Sequence, residues 1–418
     1  MPASAGHVPV TPEESLEELE ALAATAGASV LERVIQARSS LNAATFIGSG
    51  KVTELAAMVK GFEAGVVIFD NELTPTQLRN LEKLLDCKVI DRTQLILDIF
   101  ASRARTREGQ LQVELAQLNY ALPRLVGRGT QLSRLGGGSG TRGPGETQLE
   151  TDRRKISGRI KKIELELEGV KSGRAIQRRQ RVDVPLATIA LVGYTNAGKS
   201  TLFNRLTGSG VVADARLFAT LDPTVRQLPL PSKRNVLVSD TVGFIRSLPT
   251  TLVKAFRATL EEVRQAALLL HVIDASSPYA AEHTAQVMEV LREIEADETP
   301  QVLVLNKADL LPEGLENAEI AAARLLGAAA EKGKSYATAI SAQTGAGVPE
   351  LLALIDRVLP ADPLERVTLR FAAGDGGTLH LLHEYAQVRE IRYMDDVCEV
   401  VADAPESLRW RLKQFVVQ

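Results

Sequence analysis

The strongest chemical signal in the chain is the run GYTNAGKS at residues 193–200, which matches the pattern G-x-x-x-x-G-K-[ST] of a phosphate-binding loop, or P-loop. An apolar run at residues 189–192 precedes it and a helical pattern begins at Thr201, which is the strand–helix context that such a loop requires. Backbone N–H groups of the loop and the helix N-terminus attract phosphate oxygens. We expect Lys199 to reach the β- and γ-phosphates and Ser200 to bind Mg²⁺. The residues expected to contact a nucleotide here are Gly193, Tyr194, Thr195, Asn196, Ala197, Gly198, Lys199, Ser200 and Thr201.

Two further motifs indicate which base is bound. The sequence Asn306-Lys307-Ala308-Asp309 follows an apolar run at residues 302–305. A carboxylate at Asp309 can accept hydrogen bonds from guanine N1–H and the 2-amino group, whereas adenine lacks both donors and would leave it unpaired. A second motif, Ser341-Ala342-Gln343, follows the next apolar run, and its backbone N–H groups can meet guanine O6. The expected base-binding residues are Asn306, Lys307, Asp309, Ser341, Ala342 and Gln343.

Two segments between these motifs are spaced to sense the γ-phosphate. The first comprises Phe218, Ala219, Thr220, Leu221 and Asp222, and the second comprises Asp240, Thr241, Val242 and Gly243. Segments that are ordered by the γ-phosphate and Mg²⁺ and released on hydrolysis form a known switch design. We expect Ser200, Thr220 and Asp240 to hold Mg²⁺, with Thr224 as the alternative threonine. Lys199, Thr220 and Gly243 are the expected catalytic residues.

The residue after Gly243 departs from the Ras-like pattern. Ras-like switches carry a glutamine there that orients the attacking water, and this chain has Phe244. A phenyl ring cannot position water by hydrogen bonding. The sequence therefore predicts slow intrinsic hydrolysis that a partner accelerates by completing the site.

An upstream Gly48-Ser49-Gly50-Lys51 run resembles a P-loop only in part. A full motif would need Gly at position 45 and Ser or Thr at position 52, and the chain has Thr45 and Val52. We interpret this run as the entry turn of a helix.

Composition excludes several classes of protein. The chain has 418 residues, of which 45% are apolar and 24% charged, as in ordinary globular proteins. It contains no apolar run long enough to span a membrane, and its start has acids and prolines where a signal peptide is basic and then apolar. The cysteines Cys87 and Cys398 are too few for a disulfide framework or a Cys-rich zinc site. We expect a cytoplasmic monomer, with peripheral attachment to a membrane left open.

Charge is distributed unevenly along the chain. Residues 124–181 hold 15 Lys/Arg and 6 Asp/Glu, a net of +9, whereas the remainder holds 34 and 46, a net of −12. Apolar residues recur at helical spacing on both sides of a stretch at 124–145 that is rich in Gly, Arg, Ser and Thr, which predicts an antiparallel helical hairpin with a basic tip. A polyanion such as nucleic acid is one interpretation, and on charge alone a solvated mixed-charge face is equally good. The basic residues expected at the tip are Arg124, Arg128, Arg134, Arg142, Arg153 and Arg154.

The pattern of apolar runs predicts four regions. Residues 1–104 are expected to form a small α/β domain and residues 105–182 the helical hairpin. Residues 183–360 alternate strands and helices and predict a doubly wound α/β sheet of the P-loop type. Residues 361–418 are expected to form a small α+β domain, in which His380 and His383 are surface or packing residues rather than metal ligands.

Several motifs together resemble the HflX family, in the Obg–HflX group of translational P-loop GTPases. They are IGSGKV at 47–52, DNELT at 70–74, VIDRT at 89–93, IFASRA at 99–104, GPGETQLE at 143–150, FATLDP at 218–223 and DTVGF at 240–244. The resemblance covers residues 30–360 strongly and the tail loosely. It implies GTP and Mg²⁺ binding, hydrolysis stimulated by the ribosome, and association with the large ribosomal subunit and its RNA through the hairpin. It also implies splitting or rescue of stalled or idle ribosomes under stress.

Three alternatives remain open at this point. A P-loop kinase or ATPase would not need Asp309, and an RNA-binding module with a vestigial pocket would not need Lys199, Ser200 and Asp240. Within the family, an assembly factor for the large ribosomal subunit would share the same GTP-gated RNA-binding surface.

Overall fold

The computed structural model describes residues 11–125, 144–182, 186–210, 217–232, 234–246, 257–311, 335–359 and 364–417. Three of the expected tip residues, Arg128, Arg134 and Arg142, lie outside this part of the chain. Within it, no helix combines the length and the apolar character that crossing a membrane requires.

The N-terminal domain contains helices α1 (Pro12–Thr25), α2 (Ser49–Phe62), α3 (Pro75–Leu85) and α4 (Arg92–Arg103), with strands β1 (Val66–Phe69) and β2 (Lys88–Asp91). The two strands are parallel and in register from Val66 opposite Lys88. The Gly48 run opens α2, as the sequence analysis predicted. This domain packs helices around a short parallel sheet, which agrees with the predicted α/β character.

A long antiparallel hairpin follows. Helix α5 (Arg107–Ala121) ends in a short 3₁₀ turn (Leu122–Leu125), and helix α6 (Pro144–Val182) runs back along it. Arg107 pairs with Glu166 at 2.8 Å and Arg159 pairs with Glu114 at 2.6 Å, so the two helices run in opposite directions. Leu111, Ile163 and Leu167 are buried between them. The predicted hairpin is therefore present, and these three apolar residues form its core.

The central sheet has six strands in the order β4-β5-β3-β6-β7-β8. All adjacent pairs are parallel except β4–β5. The sequence analysis did not predict β4, whose polar residues Arg226 and Gln227 are exposed at the edge of the sheet. The strands are β3 (Thr188–Gly193), β4 (Thr224–Pro229), β5 (Asn235–Asp240), β6 (Leu268–Asp274), β7 (Gln301–Asn306) and β8 (Ser335–Ala339).

Helices α7 (Lys199–Thr207), α8 (Arg257–Arg264), α9 (Ala280–Glu293) and α10 (Val348–Val358) accompany this sheet. One buried cluster includes Phe203 and Leu351 from these helices. Another is shared with the N-terminal domain and includes Phe100, Phe218 and Phe244. Because a single hydrophobic core spans both, the N-terminal domain is joined directly to the segments next to the P-loop.

The C-terminal domain is a small α+β unit, as predicted. It contains β9 (Leu364–Ala372), α11 (Gly376–Tyr385), β10 (Gln387–Met394), β11 (Val397–Pro405) and α12 (Glu406–Arg411). The strands form an antiparallel sheet in the order β10-β11-β9. His380 and His383 are exposed on α11, and no group of potential metal ligands occurs among the described side chains.

Candidate nucleotide-binding site

The P-loop connects the end of β3 to the start of α7, as the motif predicted. Gly198 has a φ of 95°, and a Cβ there would collide with Nδ2 of Asn306, so only glycine fits. The Asn306 side chain donates from Nδ2 to the Ala197 carbonyl oxygen at 2.8 Å and accepts the Ala342 N–H at 2.9 Å. One buried amide thus holds the P-loop against the motif that follows β8.

Lys199 is buried inside the P-loop. Its Nζ donates to the carbonyl oxygens of Gly193 at 3.0 Å and Tyr194 at 2.7 Å. Burial lowers the pKa of Lys199 to about 8, against a smaller raising effect of Asp240. The ammonium group therefore lies in a low-dielectric position where anionic phosphate oxygens would favour its charged form.

Three oxygen-bearing side chains converge beside Lys199. Oδ2 of Asp240 accepts hydrogen bonds from the hydroxyls of Ser200 at 2.8 Å and Thr220 at 2.9 Å. Oδ1 of Asp240 is buried, with no hydrogen-bond partner among the described residues. Burial raises the pKa of Asp240, while the Ser200 bond and Lys199 lower it. Hydroxyl and carboxylate oxygens are ligands that Mg²⁺ prefers, so this donor set fits the ion.

The geometry distinguishes the two candidate threonines. Thr220 reaches Ser200 at 2.9 Å, within the oxygen cluster. Thr224 is the first residue of β4 and is paired with Asp240 in the antiparallel ladder. Among the described contacts, only Thr220 is hydrogen-bonded to Ser200 and Asp240, and the structure thus favours Thr220.

A narrow cleft of about 60 Å³ lies between the P-loop and the two switch segments. Gly243 lies at its wall, since a Cβ there would be 2.9 Å from Cγ2 of Thr195 and 3.1 Å from Nζ of Lys199. The cleft brings together most of the residues predicted to contact phosphate. Its lining is Thr195, Asn196, Gly198, Lys199, Ser200, Thr201, Phe218, Ala219, Thr220, Thr241 and Gly243.

Phe244 points away from this cleft. Its backbone is hydrogen-bonded to the P-loop. The Phe244 N–H donates to the Gly193 carbonyl oxygen at 3.1 Å, and the Phe244 carbonyl oxygen accepts the Thr195 N–H at 2.7 Å. Its ring is 2% exposed and belongs to the hydrophobic core shared with the N-terminal domain. The position that bears the water-orienting glutamine in Ras-like proteins therefore has a packing role here.

The base-binding motifs come together at the ends of β7 and β8. Lys307 adopts a φ of 63° and pairs with Asp274 at 2.6 Å. Asp309 is exposed, so its carboxylate is accessible to a ligand. The Ser341 N–H donates to the Ala346 carbonyl oxygen at 2.9 Å. Ala342 N–H is already bonded to Asn306, so a bond from this N–H to guanine O6 would share or replace that contact. Gln343 lies in the same turn, where its carbonyl oxygen accepts from Arg205.

Several residues predicted to contact the nucleotide direct their side chains elsewhere. The Tyr194 hydroxyl donates to Glu18 and accepts the Arg246 N–H at 3.1 Å, and its ring stacks on His283 with centroids 3.8 Å apart. The Phe218 ring meets Phe100 edge-on at 4.5 Å. For these residues only the main chain is left to contact a nucleotide. The same holds for Leu221 and Val242, whose side chains are buried in the shared core, and for Asp222, whose side chain bonds to the start of α5.

A charged network between the N-terminal domain and the second switch was not found from the sequence. Arg92 is 3% exposed and pairs with Glu18 and, at 2.6 Å, with Asp70. Burial lowers the pKa of Arg92 to about 10. Arg246 lies 3.7 Å from Asp70 and 3.9 Å from Glu18. We call Glu18, Asp70, Arg92, Tyr194 and Arg246 the interdomain network. The sequence signal that could have indicated this network is the position of Asp70 and Arg92 after the apolar runs of β1 and β2, and of Arg246 shortly after the second switch motif.

Arg124 is not a surface residue of the hairpin tip. Its side chain is 16% exposed, lies 3.4 Å from the Tyr120 ring centroid, and donates to the Leu73 carbonyl oxygen at 3.0 Å and to Asp91 at 3.4 Å. This corrects the expectation that it contacts a polyanion. Arg153 and Arg154, by contrast, are exposed on α6.

Comparison with known families covers most of the chain. Residues 13–101 match a family described as GTP-binding GTPase N-terminal, and residues 103–181 match its middle region. Residues 188–307 match a family described as 50S ribosome-binding GTPase. Residues 255–361 match the elongation factor Tu GTP-binding domain family.

Two similar curated relatives share the name GTPase HflX. GTPase HflX of Caldanaerobacter subterraneus is 48% identical over 405 residues, covering 97% of this chain and 91% of the relative. GTPase HflX of Escherichia coli is 49% identical over 363 residues, covering 87% and 83%. A solved GTP-binding protein of Sulfolobus solfataricus in complex with GDP is 27% identical, with a TM-score of 0.44 and coverage of 84% and 96%. With relatives this similar over nearly their whole length, the chain belongs to the HflX family of GTPases, and it binds and hydrolyses GTP.

Proposed function

We propose that this GTPase acts on the large ribosomal subunit in the cytoplasm, contacts ribosomal RNA through the hairpin, and separates stalled or idle ribosomes under stress. The observation that carries the proposal is the match of residues 188–307 to a family described as 50S ribosome-binding GTPase. The hairpin supports it independently, because the basic helix α6 packs on α5, and Val113 and Ala116 of α5 belong to the core shared with the GTP site.

Helix α6 offers a surface suited to phosphate groups. Arg153, Arg154, Lys155, Lys161 and Lys162 are exposed along it. Arg159 is instead bound to Glu114 through two bonds of 2.6 Å, which raise the pKa of the arginine and hold α5 against α6. The exposed cations would displace counterions from RNA, and binding should weaken steeply as salt rises.

The proposed roles in hydrolysis follow from the cleft. Lys199 and the Gly243 N–H would stabilise the charge that develops on the γ-phosphate oxygens. Ser200, Thr220 and Asp240 would hold Mg²⁺, which when bound neutralises phosphate charge. Phe244 leaves the attacking water without an orienting side chain from this position, so turnover of the protein alone is expected to be slow. The large subunit would supply the missing group or reposition the switch.

Base selection would rest on Asp309, with Asn306 acting as a support for the P-loop. The exposed carboxylate of Asp309 can accept the two guanine donors that adenine lacks. Competition of GTP and ATP for the site tests this role, and equal competition would favour the kinase or ATPase alternative.

The test is co-sedimentation with purified large subunits and whole ribosomes, in the presence of GDP or a non-hydrolysable GTP analogue. The double variant R153E/R154E is expected to lose about 1 kcal/mol or more of binding per reversed phosphate contact, while GTP binding stays unchanged. The matched control K83E/R226E reverses two exposed cations elsewhere and should bind as the unmodified protein does. Unchanged sedimentation of R153E/R154E would contradict the role of α6.

The same gradients separate the two ribosomal hypotheses. Analogue-dependent binding accompanied by separation of whole ribosomes into subunits would support a splitting factor. Binding confined to immature large subunits would show the alternative, an assembly factor. Absence of binding in every nucleotide state would contradict the ribosomal assignment itself.

A further inference from the structure

We propose that Asp222 is a positioning residue that links the Thr220 segment of the GTP site to the first turn of the hairpin helix α5. Nucleotide-dependent movement of Thr220 is thereby transmitted to the orientation of the hairpin. The inference concerns the chain alone and needs no ribosome, so it stands or falls separately from the proposed function.

Asp222 contacts α5 through both carboxylate oxygens. Oδ2 accepts the backbone N–H groups of Arg105 at 3.0 Å and Thr106 at 2.9 Å. Oδ1 accepts the hydroxyl of Thr106. Thr106 is itself the N-cap of α5, because its hydroxyl oxygen accepts the Gly109 N–H at 3.0 Å. A carboxylate at a helix N-terminus is stabilised by the unpaired N–H groups and the dipole there. The switch segment is therefore attached to the helix start rather than merely packed beside it.

Gly109 gives independent support for a close fit. It lies in the first turn of α5, where glycine is a poor helix former. A Cβ at this position would collide with Oδ1 of Asp222. The absence of a side chain at Gly109 thus lets the Asp222 carboxylate approach the first turn of α5. Glycine lowers the stability of the helix, so its presence here is better explained by this close approach than by helix formation.

The other end of the link is the oxygen cluster. Thr220, two residues before Asp222, is bonded to both Ser200 and Asp240. Leu221 between them is 3% exposed, and Pro223 after them restricts the backbone. The span from Thr220 to Asp222 is too short and too well packed to absorb a displacement of Thr220. A displacement of the threonine between the two nucleotide states would therefore move Asp222 and the helix that it holds.

The experiment measures the distance between spin labels on the hairpin and on the central sheet of the full-length protein. Labelled cysteines replace the exposed residues Lys155 on α6 and Gln227 on β4, after substitution of the native Cys87 and Cys398. Double electron–electron resonance compares GDP with a non-hydrolysable GTP analogue, each with Mg²⁺. The distance distribution is expected to shift between the two states. D222A should lose most of this shift, and D222N should keep part of it because one acceptor oxygen remains.

G109A provides the second variant. The added methyl group must displace Oδ1 of Asp222 and so disturb its bond to the Thr106 hydroxyl, and the shift should therefore be reduced although alanine favours the helix. The matched control G158A places the same methyl group in α6, where nothing lies within 4 Å of it, and D297N removes an exposed carboxylate elsewhere. Both controls should keep the shift. Thermal unfolding and bound nucleotide report whether each variant is folded.

Two results would overturn the proposal. One is an unmodified protein whose distance distribution is the same with both nucleotides. The other is a folded, nucleotide-bound G109A protein that retains the full shift, which would reduce the Asp222 contact to a static helix cap. If D222A does not fold, G109A alone decides between these outcomes.

Discussion

The P-loop and the segment after β5 have two sides that serve different purposes. On the phosphate side, Lys199 and Ser200 line a small cleft, and the Ser200 hydroxyl is bonded to the buried Asp240. On the interface side, Tyr194 and Phe244 direct their side chains into contacts with the N-terminal domain. Neighbouring residues of one motif therefore either bind the nucleotide or hold another domain. The hairpin is thus attached to the segments that we expect the γ-phosphate to rearrange.

The largest expected effect is a loss of GTP affinity when the phosphate side is changed. Lys199→Ala removes a buried ammonium group, and losing a charged hydrogen-bond donor to the phosphates should cost about 3 kcal/mol, or roughly 100-fold in GTP affinity. Titration of a fluorescent GTP analogue measures this. The control Lys162→Ala removes an exposed lysine of α6 and should leave the affinity unchanged. A Lys199→Ala protein that binds within a few-fold of the unmodified protein would contradict the assignment.

A smaller effect is expected on the interface side. Arg246→Ala leaves Glu18 and Asp70, whose side chains are only 15% and 21% exposed, with Arg92 as their remaining cation. Partial exposure reduces the penalty of a buried unpaired charge to about 1–2 kcal/mol of unfolding free energy. Chemical denaturation measures it. Arg264→Ala is the matched control, because its ion pair with Glu295 is 48% and 79% exposed and should contribute little. Equal losses for the two variants would mean that the interdomain network adds no stability.

The smallest expected effect is the proton uptake that accompanies nucleotide binding on the phosphate side. Lys199 has its pKa lowered to about 8 from 10.5, so above that pH the folded protein without nucleotide releases this proton. Bound phosphates favour the ammonium form and raise the pKa again. Nucleotide binding should then take up roughly three quarters of a proton at pH 8.5 and almost none at pH 6.5. Calorimetry in buffers of different ionisation enthalpy gives this number directly. Equal uptake at both pH values would show that Lys199 is not the group involved.

The phosphate side was predictable because its signal is local. The spacing of Gly193, Lys199 and Ser200 after an apolar strand specifies one loop geometry, and Asp240 ends the neighbouring strand of the same sheet. The hairpin was likewise predictable from apolar periodicity and a Gly-rich break. Both patterns depend on residues close together in the chain.

The interface side was not predictable because its partners are distant in sequence. Tyr194 meets Glu18, and Asp222 meets Thr106, with more than a hundred residues between the members of each pair. A sequence motif does not indicate whether the side chain of a residue points toward the nucleotide or toward another domain. Arg124 shows the same difficulty, since a basic residue beside a Gly-rich loop was assigned to the surface although Asp91 and Tyr120 hold it inside.

Steady-state GTP turnover with and without purified large ribosomal subunits tests the central claim most directly. The buried ring of Phe244 leaves the site without a water-orienting side chain at this position, so the protein alone should be slow. Large subunits should raise the turnover by about tenfold or more, the rate equivalent of roughly 1.4 kcal/mol of added transition-state stabilisation. Turnover that large subunits leave unchanged would contradict the account of a ribosome-directed GTPase.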